Sequence, residues 1–410
     1  MAIASHGRRA PRKRVEISPR GATSALATAM TAPRGDPMKQ LFAMSALACA
    51  LLGSCAPTKA DRAEARGVTL AAMSCEGSWR RVEAPPMRPR LLVSVTETEA
   101  GVLLFGGVGD TGALGDGALW RDGAWTLMPA AGAPSPRAGH VAVWLGDRLC
   151  VWGGERDGEP LGDGACWTPG APAWRAMSSP RAPSPRASAG ACWTGRELVL
   201  FGGQDADGEA LGAGAAWNPV TDAWRALPTA GAPRPRTSPV LRCDGSAVTV
   251  WGGAGDALAL GAEDAARYEL ATDVWSPLDL TGAPSASSGP LAVIVAEGIF
   301  ALHDDGVALF DAGASRWRAL RHEPTAPPRF ASSLARVPGG AMVWGGRDAS
   351  GLRADGACYD IARERWTSTP TTNAPTARSF ATAFFDGGAV MVLWGRDARG
   401  LRDDAHALVR

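Results

Sequence analysis

Apolar residues in this chain come in short runs, broken by Gly, Pro and Asp about every ten residues. Around the middle of the first half the pattern is plain. An apolar run after Arg137 reaches Trp144, and a Gly-Asp turn leads to Leu149–Trp152. Gly153-Gly154 and a Gly/Asp-rich loop follow, then residues 165–167, a Pro-Gly turn, and residues 174–177. Runs this short, without a long amphipathic stretch, predict four β-strands, a to d, joined by turns into an antiparallel sheet.

The same pattern recurs along the chain, with three markers in fixed order. The first is an Ala-Pro loop ending in Arg: Arg90, Arg137, Arg186, Arg236, Arg329 and Arg378, with Ser287 in the fifth copy. The second is a Gly pair after strand b: Gly106-Gly107, Gly153-Gly154, Gly202-Gly203, Gly252-Gly253 and Gly345-Gly346. Two copies are degenerate, His303-Asp304 and Gly395-Arg396. The third is a Trp in strand d: Trp79, Trp125, Trp174, Trp224, Trp275, Trp317 and Trp366. In five copies an aromatic precedes that Trp by seven residues, as Trp167 precedes Trp174. All 16 Trp fall in strand slots, so they are assigned to packing.

This order of Gly pair and aromatic–Trp pair resembles the Kelch repeat family over residues 79–410. His140, three after Arg137, also fits that family's pattern. The resemblance implies an all-β, seven-bladed β-propeller of four-stranded antiparallel blades. The first marker met is a strand-d Trp (Trp79), and the last strand is a strand c at residues 405–409. The N-terminal strand around Trp79 is therefore expected to complete the last blade and close the ring, which removes free sheet edges.

The N-terminus reads differently. Met38-Lys39-Gln40, the apolar residues 41–52 and Leu52-Gly53-Ser54-Cys55 make a secretory signal whose end resembles a bacterial lipobox, with Cys55 the lipidated residue. The apolar run is too short to span a bilayer as a helix. The expected organisation is residues 1–37 as an over-extended or disordered start, 38–54 as signal peptide, 55–74 as lipidated Cys and linker, and 75–410 as propeller. Ala56 lacks the Asp that retains such proteins at the inner membrane, so the outer membrane is expected.

Charge changes with that cut. Eight of the 42 Lys+Arg and two of the 41 Asp+Glu lie in residues 1–55, leaving 34 against 39, a net of −5. A mildly acidic chain without a basic run argues against a nucleic-acid partner. Six Cys remain beyond residue 55: Cys75, Cys150, Cys166, Cys192, Cys243 and Cys358. Export permits disulfides. Their places inside strand-like runs instead suggest buried free thiols, with Cys150–Cys166 as a candidate pair. No Cys/His spacing suggests zinc.

Function is less legible. The d–a and b–c loops of antiparallel blades share one face, which brings Arg90, Arg137, Arg186, Arg236, Arg329 and Arg378 together. They form either a ring for carboxylate or phosphate groups or structural partners of Asp116, Asp163, Asp264, Asp355 and Asp404, each four residues before the strand-c aromatic slot. The fifth copy differs: Ser287 replaces Arg, and the b–c loop shrinks to Asp304-Asp305-Gly306 beside His303, a notch in the face. Residues 205–209 faintly resemble a calcium loop but lack its terminal Glu. No catalytic constellation, metal or cofactor is expected. The leading reading is a non-enzymatic, lipid-anchored module presenting its loop face to a protein or glycan. The alternatives are an enzyme acting on sugars or sugar acids at the channel mouth and a structural subunit of an envelope assembly.

Overall fold

The computed structural model describes residues 75–255, 264–284, 291–303, 306–321 and 329–409. They form seven four-stranded antiparallel sheets. Blade 1 comprises Ser94–Thr98, Gly101–Phe105, Gly117–Arg121 and Ala124–Leu127 as strands a to d. Blades 2 to 6 repeat this order, beginning at Val141, Gly190, Val240, Leu291 and Ser333. Blade 7 takes strands a to c from Thr382–Phe385, Val390–Leu393 and Ala405–Val409, and its strand d from Ser78–Val82. Trp79 stands opposite Leu408 in that last pairing, so the two chain ends close one blade, as the order of markers predicted.

Each strand type has its own burial pattern, set by its place in the blade. Strand b is covered on both sheet faces by neighbouring blades, so it is apolar throughout; Leu198–Phe201 is buried at every position. Strand d is the outer edge, and in Ala223–Ala226 only Trp224 is buried. Strands a lie against one another from blade 1 to blade 4 and from blade 5 through blade 7 to blade 1. Seven apolar clusters fill the junctions, and one joins Met391 and Leu393 of blade 7 to Val93, Val95 and Leu104 of blade 1.

The strand-d Trp packs at each junction. In five blades its Nε1 donates to a carbonyl just after strand d of the preceding blade, whereas the buried Nε1 of Trp317 and of Trp366 has no hydrogen-bond partner among the described residues. Trp174 reaches Pro129 O, Trp224 reaches Ser178 O and Trp275 reaches Pro228 O, at 3.0, 3.0 and 2.8 Å. Trp79 does the same to Pro370 O at 2.9 Å. Burying one such ring is worth on the order of 4–6 kcal/mol before entropy.

The cysteines correct the sequence reading. All six form disulfides rather than remaining free thiols: Cys75–Cys358, Cys150–Cys166 and Cys192–Cys243. Cys150 and Cys166 face each other across strands b and c of blade 2. Cys192 and Cys243 join strands a of blades 3 and 4. Cys75 ties the segment before the closing strand to strand c of blade 6. Two of the three pairs unite positions far apart in sequence, which spacing alone does not reveal.

Candidate functional site

The loop face is built around the six arginines, and the structure uses them as framework. Each is buried, from 0% exposed at Arg90, Arg137 and Arg378 to 9% at Arg329. In every copy Nη1 donates to the carbonyl sixteen residues on, as Arg137 does to Gly153 O at 2.9 Å and Arg186 to Gly202 O at 3.0 Å. The guanidinium then takes the carboxylate before strand c of its own blade: Arg90 with Asp116 at 2.7 Å, Arg137 with Asp163 at 3.0 Å and Arg329 with Asp355 at 2.7 Å. Arg236 pairs with Asp264, and Arg378 with Asp404. Blade 3 has no such acid, and Arg186 uses Ala213 O at 2.8 Å.

Of the two roles left open by the sequence, these contacts are those of internal braces, because the donors point inward to groups already in place. The braces also run within a blade. The link between blades is made by backbone. Gly107 N donates to Arg137 O, Arg137 N to Leu114 O and Leu114 N to Gly107 O, at 2.9, 3.0 and 2.8 Å. The same three-bond relay joins Gly154, Leu161 and Arg186, then Gly203, Leu211 and Arg236, and again Gly346, Arg353 and Arg378. The first two sequence markers recur because they bond each other.

Close approach explains the Gly pair. Gly154 has φ +91°, and a Cβ there would lie 2.6 Å from Ala138 O and 2.8 Å from the His140 Cβ. Gly154→Ala is therefore expected to cost about 2–3 kcal/mol, from backbone strain plus displacement. Gly146→Ala, at φ +100° with nothing within 4 Å, carries strain alone, about 1 kcal/mol. Thermal melts of the two variants check the difference, and equal shifts would refute the clash.

Blade 7 departs from the expected register. The carbonyl that Arg378 uses is Trp394 O, so its pair is Trp394-Gly395, one residue earlier than the Gly395-Arg396 expected from sequence. Trp394 adopts φ +52° and is fully buried with Val93. Its ring lies 5.6 Å from the Arg90 guanidinium carbon, a cation–π contact across the ring closure.

Electrostatics follow burial. Burial pulls the Arg137 pKa down, partly offset by Asp163, and pulls Arg186 down to about 10. His140 is held to about 3 by burial and by the charge of Arg137. Its Nε2 meets Ser94 Oγ at 2.9 Å, so it serves as a neutral junction residue. Burial opposes the Asp404 carboxylate, yet hydrogen bonds and charge from His406 and Arg378 hold its pKa well below the usual range. Glu155 is raised by burial.

His303 of the notch ends strand b of blade 5, buried and opposite Gly306, which accords with a short b–c connection. Ser287, Asp304, Asp305 and Cys55 lie outside the described residues. Asp205 Oδ1 accepts from the N–H of Asp207 and of Glu209, both at 3.0 Å, an internal turn bond.

What varies between blades is the outward surface of this welded frame. The residue after the Gly pair is Val108, Glu155, Gln204 and Ala254 in blades 1 to 4, then Arg347 and Arg396 in blades 6 and 7. Sequence reasoning looked to the repeated arginines and missed these unlike ones. The signal available was variation inside an invariant frame.

A family model described as the KLHDC2/KLHL20/DRC7 Kelch-repeats domain matches residues 92–302, half of the chain. No curated protein matches it.

Proposed function

The chain belongs to the Kelch-repeat family, and on that premise we propose that it is a non-enzymatic binding module of the bacterial cell envelope, lipid-anchored at Cys55, whose loop face takes a protein or a glycan. The observation that carries this reading is the contrast on that face. Frame positions repeat blade after blade, while the half-buried to exposed positions that follow the Gly pair differ in size and charge. Loops varied on a rigid scaffold are the usual substrate of recognition. Export is supported separately by the three disulfides, which persist in oxidising compartments. The exposed large apolar residues Leu127, Val220, Val274 and Phe330 stand on four different blades, which favours a ligand-binding face over the flank of an assembly subunit.

Crosslinking and pull-down from membranes of the source cell test the proposal. Wild type should fractionate with the outer membrane and capture a specific partner or glycan. Cys55→Ser should move most of the protein to the soluble fraction, because the acyl anchor is gone. Unchanged membrane association of Cys55→Ser would reject the anchor. Capture undiminished by substitutions on the loop face would reject that face.

A further inference from the structure

Six of the seven blade junctions carry polar links among the described residues. The backbone relay joins blades 1 to 2, 2 to 3, 3 to 4 and 6 to 7. Between blades 5 and 6, Tyr359 Oη donates to Arg321 O at 2.8 Å, and Glu364 accepts from Arg321 N at 3.1 Å. Between blades 7 and 1, Trp120 Nε1 donates to Asp386 Oδ2 at 3.0 Å, and Phe385 N donates to Glu97 Oε1 at 3.2 Å. Blades 4 and 5 differ. Among the described residues no hydrogen bond, ion pair or disulfide joins them. Trp317 Nε1, whose counterparts clasp the preceding blade, is buried without a partner, and so is Trp251 Nε1 on the other side of the seam. Their rings meet with centroids 4.4 Å apart. Strands a also approach one another least at this junction.

The packing of the seam is thin for a reason written in strand b. At one position strand b turns a side chain toward the preceding blade: Leu104, Val151, Leu200, Val250, Val343 and Val392 in the other six blades. Blade 5 has Ala301 there. Ala301 stands directly opposite Ala292 of strand a and Ala308 of strand c. All three are buried in the cluster shared with Trp251 of blade 4. Cross-strand neighbours are the packing unit of a sheet, so a row of methyl groups covers the middle of this seam. The opposite face of blade 5 is not thinned, since Val293, Phe300, Leu302 and Leu309 pack against blade 6. The fifth copy also carries Ser287 where the others carry the brace arginine, so it has no guanidinium at that position. Two other seams are tied covalently, blades 3 and 4 by Cys192–Cys243 and blades 6 and 7 by Cys75–Cys358.

We propose that the folded ring parts locally at the seam between blades 4 and 5 while the other junctions stay closed. Parting there uncovers little apolar surface from the alanine row and breaks no hydrogen bond among the described residues, so it costs least of the seven. The indole N–H groups of Trp251 and Trp317 gain water as it opens, which offsets part of that cost. An otherwise rigid scaffold thereby has one yielding edge.

Thiol labelling of single-cysteine variants of the full chain, under native conditions and without reductant, tests the seam. Ala301→Cys probes it, while Ala341→Cys and Ala216→Cys probe the junctions of blades 5 with 6 and 3 with 4. The three alanines are 0%, 0% and 1% exposed, so N-ethylmaleimide reaches each site only through an opening. Followed peptide by peptide by mass spectrometry, labelling should be at least about tenfold faster in Ala301→Cys than in the other two. Ala308→Cys, at a position 2% exposed in the same cluster, takes its place if near-ultraviolet dichroism shows Ala301→Cys misfolded. Ala301→Val restores the side chain found in blades 2, 4, 6 and 7. Added to Ala308→Cys, it should slow labelling at least about threefold by filling the seam. A seam already filled would instead be overpacked and label faster. Labelling at the seam no faster than at the other two junctions would overturn the opening. Labelling of Ala308→Cys that Ala301→Val leaves unchanged or speeds would overturn the alanine row as its cause.

Discussion

Replacing Cys75 and Cys358 together by serine is expected to destabilise the ring by about 3–5 kcal/mol, more than loss of any other disulfide here. The pair is separated by 283 residues, so in the loop-entropy account it restrains the unfolded chain by about 5 kcal/mol, against about 3 for a loop like that of Cys150–Cys166, separated by 16. Location adds to length. Cys75 stands just before Ser78–Val82, the strand that closes blade 7. Without the bond that edge strand is held by its ladder to Ala405–Val409, by the burial of Trp79 and by the Trp79 hydrogen bond to Pro370 O, and chain ends and edges open most readily. Urea unfolding under non-reducing conditions checks the difference. Equal midpoint shifts for the Cys75/Cys358 and Cys150/Cys166 double variants would refute the closure argument.

Arg378→Gln is expected to cost about 3–5 kcal/mol, because it removes the guanidinium from a buried carboxylate and leaves His406 as its remaining side-chain partner among the described residues. Arg378 and Asp404 side chains are 0% and 9% exposed and meet at 2.5 Å. Asp163, at 59% exposure, is already hydrated, so Asp163→Asn should cost only about 1 kcal/mol. The same brace sets an acid limit. The Asp404 pKa is depressed in the fold, so its contribution is complete above the unfolded carboxylate value near 4. It is lost as pH falls below that value toward the folded one. Wild type should therefore lose stability on acidification below about pH 4, while Asp404→Asn, weaker at neutral pH, should show a flatter profile. Denaturant midpoints from neutral to acidic pH compare them, and parallel profiles would exclude Asp404 as a source of acid sensitivity.

The propeller was legible because each blade is one supersecondary unit and the chain writes it seven times. Short apolar runs reported strands, and strand-b runs without alternation, such as Leu198–Phe201, reported burial on both faces. Trp79 and residues 405–409 announced the shared blade by their order alone. The candidate site was less legible. The repeated arginines could be read as a chemical ring or as partners of the repeated Asp, and neither reading contained the brace from Arg to the carbonyl sixteen residues on. Arg347 and Arg396, which follow the Gly pair in blades 6 and 7, repeat nothing, so no periodic search selects them.

What the sequence by itself determined is strand type, blade count and closure, since these follow from local hydrophobic pattern and order along the chain. Tertiary structure alone decided that Cys75 meets Cys358 and Cys192 meets Cys243, which register blade 7 adopts at Trp394-Gly395, and that Arg186 is spent on a carbonyl where its blade has no acid. The physical reason is common to all three. Each depends on distance and burial between residues remote in sequence, Cys75 and Cys358 or Arg90 and Trp394, and such distances exist only once the ring has closed.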